Sequence, residues 1–178
     1  MRLNLNGPTM GTRWSVNCDV APDRDPKPLR AALQAAVDLV DAQMSPWKPG
    51  SDLMRLNRAP VDSWVDLPAE MLYVLDRALE ISRLSAGAFD PAVGALVDAW
   101  GFGAVRDEPD AQAIRAAGDT SRCPAHESLE LDLNAGRARK RAGLQIDLCG
   151  IAKGYAVDCI VAVLQHYDIR HALAALDG

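Results

Sequence analysis

The chain has 178 residues, 49% of them hydrophobic and 24% charged, which is the balance of an ordinary globular protein with one sizeable core or two small ones. A formal charge of −5, with no basic run, argues against a nucleic-acid role. No apolar run reaches the length of a membrane span, and Met1 to Gly7 lacks the apolar centre of a signal peptide. The expectation is therefore a cytoplasmic protein, or a periplasmic or lipoprotein form from which an N-terminal export segment has been removed.

In chain order, Thr12 to Val20 carries the β-prone Trp14 and Val16 and reads as an opening strand. Leu29, Leu33, Val37, Val40 and Met44 recur at helical spacing, which predicts an amphipathic helix over Pro28 to Met44. Ser45-Pro46-Trp47-Lys48-Pro49-Gly50 stops it, because two prolines and a glycine cannot continue a helix. Ser51 to Asn57 is a short helix with Ser51 or Asp52 as its cap. Val65-Asp66-Leu67-Pro68 is expected to open a long helix with a stripe of Met71, Leu72, Leu75 and Leu79, stopped at Gly87. Pro91 to Trp100 and Asp110 to Ala117 suggest two further helices, and Leu129 to Leu133 a strand. Asn134-Ala135-Gly136 is a turn, and Lys140 to Leu148 the return strand. Ile151 to Tyr167 predicts a helix packed through Ile151, Tyr155, Ile160, Val163 and Leu164, and His171 to Leu176 a last strand. Hairpins mixed with non-alternating helices fit an α+β fold, a mixed or antiparallel sheet packed with helices, better than a doubly wound parallel sheet. No internal repeat is visible. A last strand running into the chain end is expected to belong to an interrupted fold, with Gly178 inside the break.

Five segments stand out chemically. The first is Gln145 to Asp158, a short apolar strand, a glycine turn and a helix start, where free backbone N–H groups and Lys153 would attract an anion such as phosphate. The spacing is neither a Walker loop nor G-x-G-x-x-G. Lys153 and Asp158 are five residues apart and share no helix face. Asp147 is either an inward polar group or a cap for the following helix. The second is Gly87-Ala88-Phe89-Asp90-Pro91, in which Asp90 either caps a proline-started helix or, with Phe89, contacts a ligand allowed close by the small Ala88. In the third, Val97 to Gly103, Trp100 and Phe102 read as core plugs ahead of ligand-stacking groups. The fourth holds Trp47, which either stacks on a planar ring system or anchors its loop in the core. The fifth is Met10-Gly11-Thr12: Gly11 permits close backbone approach and Met10 could lie against an apolar ring, or the segment is a plain turn. Cys18, Cys123, Cys149 and Cys159 include no C-x-x-C pair, so zinc has little support and the thiols read as reduced and structural. No Ser-His-Asp arrangement is expected from the scattered His126, His166 and His171.

Together, Met10-Gly11-Thr12, Met44 to Trp47, Gly87 to Pro91, Leu96 to Gly103 and Ile146 to Asp158 resemble the ApbE family, in order and spacing, from residue 10 to the end. These are FAD:protein FMN transferases, long called thiamine biosynthesis lipoproteins. The resemblance implies a T-fold-like architecture, an FAD site, and Mg2+-dependent transfer of FMN to a Thr or Ser of an acceptor flavoprotein with release of AMP; some members hydrolyse FAD instead. It places FAD contacts at Met10, Trp47 (where the family usually has tyrosine), Ala88, Phe89, Asp90, Lys153 and Cys159, and a magnesium ligand at the main-chain oxygen of Ala156. Family members are longer, and their second half carries a histidine segment and an alanine-aspartate-threonine motif with the remaining metal ligands. The expectation for this chain is thus a weak metal site and impaired transfer, with an FAD-binding or FAD-hydrolysing module as the alternative. A homo-oligomer through the terminal strand is a further expectation.

Overall fold

The computed structural model describes residues 1–103, 108–119 and 123–177. Gly178, the end of the segment read as cut, lies outside the described residues. The chain divides into two compact units, residues 1–42 with 151–178, and residues 43–150. Both are antiparallel sheets with helices, as the α+β reading expects.

The first unit holds a sheet in the order β1-β2-β6, formed by Arg2–Thr9, Thr12–Asp19 and Ala172–Leu176. Strands β1 and β2 make a hairpin in which Thr9 faces Thr12, so the loop is only Met10-Gly11. Both loop residues have positive φ, 45° and 72°, the backbone that two-residue hairpins need to match strand twist. Trp14, Val16 and Cys18 alternate inward on β2 and are buried. The Trp14 indole is fully buried and donates from Nε1 to Gln34 Oε1 at 2.9 Å. Gly7 faces Trp14 across the hairpin, and a Cβ on it would stand 2.7 Å from Trp14 Nε1. Burial pushes the Cys18 thiol pKa up.

Helix α1 (Pro26–Met44) buries the five stripe residues Leu29, Leu33, Val37, Val40 and Met44, each worth roughly 1.5–3 kcal/mol of burial. Helix α7 (Cys149–His166) starts two residues earlier than its sequence signal. Its buried stripe is Ala152, Ala156, Ile160 and Leu164, while Ile151, Tyr155 and Val163 are half-buried beside it.

In the second unit the sheet order is β3-β5-β4, from Val65–Asp66, Arg137–Lys140 and Leu129–Asp132. Its helices are α2 (Asp52–Arg58), α3 (Ala69–Leu84), α4 (Gly94–Ala99), α5 (Ala111–Asp119) and α6 (Ala125–Ser128). Val65-Asp66 is strand rather than helix start: Val65 pairs with Ala138, and α3 begins only after Pro68. The predicted helix from Pro91 is a 3-10 turn, Pro91–Val93, with non-helical ψ at Ala92 inside it, followed by α4. The Asn134-Ala135-Gly136 turn is tied by Asp132, which accepts from Ala135 N–H at 3.1 Å and from the Arg137 guanidinium at 3.0 Å. The Ala135 N–H first, and the Arg137 charge after it, hold the Asp132 carboxyl below its ordinary pKa.

The predicted return strand is wrong in register. The ladder covers Arg137–Lys140, and residues 141–148 carry none. Ile146 and Leu148 are buried all the same, so the apolar alternation reports burial without strand pairing.

Candidate functional site

Residues 145–147 of the second unit run extended between two partners that are not strands. On one side Asn57 reads the backbone of Ile146 twice: Ile146 N–H donates to Oδ1 at 2.8 Å, and Nδ2 donates to the Ile146 carbonyl at 2.9 Å. On the other, Asp147 N–H donates to the Pro91 carbonyl at 2.8 Å, and Gly94 N–H to the Gln145 carbonyl at 3.1 Å. Gly94 must be small, because a Cβ there would come within 2.9 Å of the Gln145 oxygen. Asp147 answers to both of its sequence readings: it is buried, and its Oδ1 accepts from Cys149 N–H at 2.7 Å, satisfying one of the unpaired donors at the start of α7.

The corner before Pro91 is built from the end of α3. Gly87 N–H donates back to the Ser82 carbonyl at 2.8 Å, and Ala86 and Gly87 both take positive φ, 50° and 81°. This left-handed pair turns the chain, and Phe89 N–H then donates to Ser85 Oγ at 3.0 Å. Asp90 accepts through one oxygen, Oδ1, from Ala92 N–H and from Ala125 N–H, each at 3.0 Å. One carboxylate oxygen therefore holds the start of the 3-10 turn and the start of α6. Ala88 is exposed; Phe89 and Asp90 are half-buried. The Phe89 ring lies against the first turn of α7, where a Cβ on Gly150 would stand 3.2 Å from Phe89 Cε2. The Phe89-Asp90 corner and Gly150 thus meet within one unit.

Two more segments converge there. Pro46, Asn57, Gly94, Asp98 and Asp147 share the walls of a cavity of about 100 Å³. Trp47 follows Pro46 and is 59% exposed, in a loop braced by Ser51 Oγ, which donates to the Ser45 carbonyl at 2.8 Å. It is no core anchor. Nor are Trp100 and Phe102 the core plugs that were expected, at 48% and 75% exposed. Gly101 and Gly103 explain why. The chain doubles back at Gly101, φ 79°, and a Cβ on Gly103 would overlap the Asp98 carboxylate, so this tight turn presents its aromatics outward.

Met10 sits at the β1–β2 hairpin tip of the first unit. Lys153, Ala156 and Cys159 lie on the part of α7 assigned to that unit, Lys153 and Cys159 half-buried and Ala156 fully buried. Lys153 and Asp158 fall on different faces of that helix, Asp158 exposed. Ala156 is in the middle of α7, where its main-chain oxygen accepts from the residue four on and keeps a second lone pair, and among the described residues no three His, Cys, Asp or Glu side chains cluster to hold a metal.

Two arrangements carried no sequence signal. Asn57 is one, since its partner is 89 residues away. The other is a Ser–His–Glu contact, where none was expected: Ser82 Oγ is 2.8 Å from His126 Nδ1, and His126 Nε2 is 3.8 Å from Glu127. Ser82 is fully buried, so no substrate carbonyl can reach it. Lys140 is also buried; it donates to the Asn57 carbonyl, and burial pushes its pKa down.

A family model described as "ApbE family" matches residues 10–178. The chain is 33% identical over 180 residues to the FAD:protein FMN transferase of Klebsiella pneumoniae, covering 98% of this chain and 51% of that protein. It is 30% identical to the enzyme of the same description from Vibrio cholerae, covering 99% and 53%. Among solved structures it superposes on the flavinyl transferase ApbE of Pseudomonas stutzeri, apo form, with a TM-score of 0.88 at 28% identity, over 100% of this chain and 59% of that one. For the flavin transferase ApbE from Vibrio cholerae the TM-score is 0.87 at 28% identity, over 98% and 56%. The chain spans about half the length of the curated relatives it matches. No helix among the described residues is long and apolar enough to cross a membrane.

Proposed function

This chain belongs to the ApbE family, and from that premise we propose that it carries the FAD-binding part of an FAD:protein FMN transferase. The observation that carries the reading is the convergence, in one unit, of the Trp47 loop, the Phe89-Asp90 corner and the Ile146–Gly150 turn, three of the segments on which the resemblance rests. Phe89 and the exposed Trp47 offer flat apolar faces suited to the ring systems of FAD. Ala88 lets the ligand approach the backbone, and Asp90, with one oxygen committed to two N–H groups, presents its charge from a fixed position. Met10, Lys153 and Cys159 complete the proposed FAD contacts, with Lys153 as the cation beside the pyrophosphate.

In the reaction the hydroxyl oxygen of a Thr or Ser on the acceptor flavoprotein attacks the flavin-side phosphorus. The phosphoanhydride bond to AMP breaks, AMP leaves, and the hydroxyl proton passes to base. This chain's residues bind and orient FAD for that attack. Magnesium dependence belongs to the reading through the family, with the Ala156 oxygen as the only ligand proposed here, and no step is assigned to the ion. Impaired transfer is part of the proposal, and its alternative is a module that binds FAD or hydrolyses it with water in place of the acceptor. Self-association through β6, an end strand of its sheet, completes the proposal.

The test is flavin-fluorescence titration together with AMP release in the presence of Mg2+. Saturable FAD binding with little AMP is the expected result. No binding sinks the FAD reading. Rapid AMP production sinks the claim of impaired chemistry, and the elution volume on size exclusion decides the self-association.

A further inference from the structure

We propose that Asn57 is a positioning residue for the flavin-site turn: its side-chain amide, on a residue whose main-chain carbonyl is held by Lys140, stands in for a missing strand and helps fix the register of residues 145–147, and with it Asp147 and the start of α7. This rests on the FAD reading above. In a sheet, Ile146 would exchange both backbone bonds with a neighbouring strand; here one side chain supplies acceptor and donor together, at 2.8 and 2.9 Å. On this side the register is held by one residue, opposite the bonds to Pro91 and Gly94, since an apolar run can slide on an apolar surface but not on a paired amide. Asn57 sits in the last turn of α2, whose Leu53 and Leu56 are fully buried, so the amide projects from a fixed element. The Asn57 main-chain carbonyl accepts from the buried Lys140 ammonium. A lysine there is costly where an apolar residue would fill the space, unless the hydrogen bond it makes is wanted.

The turn after Ile146 depends on that register. Asp147 caps Cys149 N–H, and Gly150 takes the Phe89 ring at close range. A slip of the segment would move the cap off the helix and the glycine off the ring. The side-chain hydrogen bonds of Asn57 run to Ile146 and Met54, not to the residues proposed to contact FAD.

The experiment compares the wild-type chain with Asn57→Ala, Asn57→Asp and Lys140→Met by amide hydrogen exchange over residues 144–150, FAD affinity and melting temperature. Asn57→Asp keeps the acceptor for Ile146 N–H but loses the donor, so it should fall between wild type and Asn57→Ala. Expected for Asn57→Ala are faster exchange confined to this segment and FAD affinity lower by about tenfold or more. Lys140→Met should give the same pattern more weakly, and decides the matter if Asn57→Ala does not fold. Unchanged FAD affinity in a folded Asn57→Ala, or exchange raised evenly across the second unit, overturns the proposal. Should wild type bind no FAD, the flavin reading fails by itself, and the local exchange pattern still judges whether Asn57 sets the register.

Discussion

Asp90 is where structure and chemistry can be separated most cleanly. Both of its N–H partners, on Ala92 and Ala125, use the same oxygen, Oδ1. Asp90→Ala strips both donors of their acceptor, and a lost cap plus a second unpaired amide is worth about 2 kcal/mol in total. For a chain of this length that lowers the melting temperature by about 4–8 °C. Asp90→Asn retains a carbonyl oxygen in the same place and should keep most of that stability, within about 0.5 kcal/mol. It removes the charge, however, so FAD titration should show weaker binding at nearly unchanged melting temperature. Paired thermal melts and flavin titrations on the two variants are the assay. If Asp90→Asn melts as low as Asp90→Ala, the bonds depend on ionisation and the geometric argument fails; if it binds FAD as wild type does, the charge has no part in the site.

Two further outcomes are expected. Gly7→Ala drives a methyl group into the buried Trp14 indole and its bond to Gln34, and should cost about 2 kcal/mol, read as a lower melting temperature. For Asp132, a folded pKa below the unfolded one means stabilisation that is present above the ordinary carboxylate range and lost as pH falls through the folded value; the stability difference between wild type and Asp132→Ala, measured by denaturant titration, should therefore shrink below about pH 4.

The helices were readable wherever one face is apolar. Every stripe residue expected for α1 is buried, and so are Met71, Leu72, Leu75 and Leu79 of α3. Strand β1 escaped notice because Asn4, Asn6, Gly7 and Pro8 are poor strand formers, and Gly7 occupies an inward position without looking apolar. Proline is tolerated there because β1 is an end strand. Residues 141–148 misled for the opposite reason: Leu144, Ile146 and Leu148 alternate like a strand, but their backbone partners are an asparagine amide and a loop carbonyl. At the candidate site, composition located the corner at Gly87–Pro91 and the turn at Gly150. It did not reveal that Asp90 bridges to Ala125, or that Asn57 reaches Ile146, because both depend on contacts far apart in sequence.

The four indoles are unequally placed, and that gives each half of the molecule its own optical reporter. Trp14 is the sole tryptophan of the first unit, sealed from water, so its emission should be blue-shifted and spared by iodide. Trp47 and Trp100 face solvent in the second unit and should quench readily, while the guanidinium groups of Arg137 and Arg139 stand over Trp64, 4.5 and 4.4 Å from its ring centre. Quencher-resolved emission during denaturation, Trp14 against Trp47 and Trp100, can therefore tell which half lets go first, with no label attached.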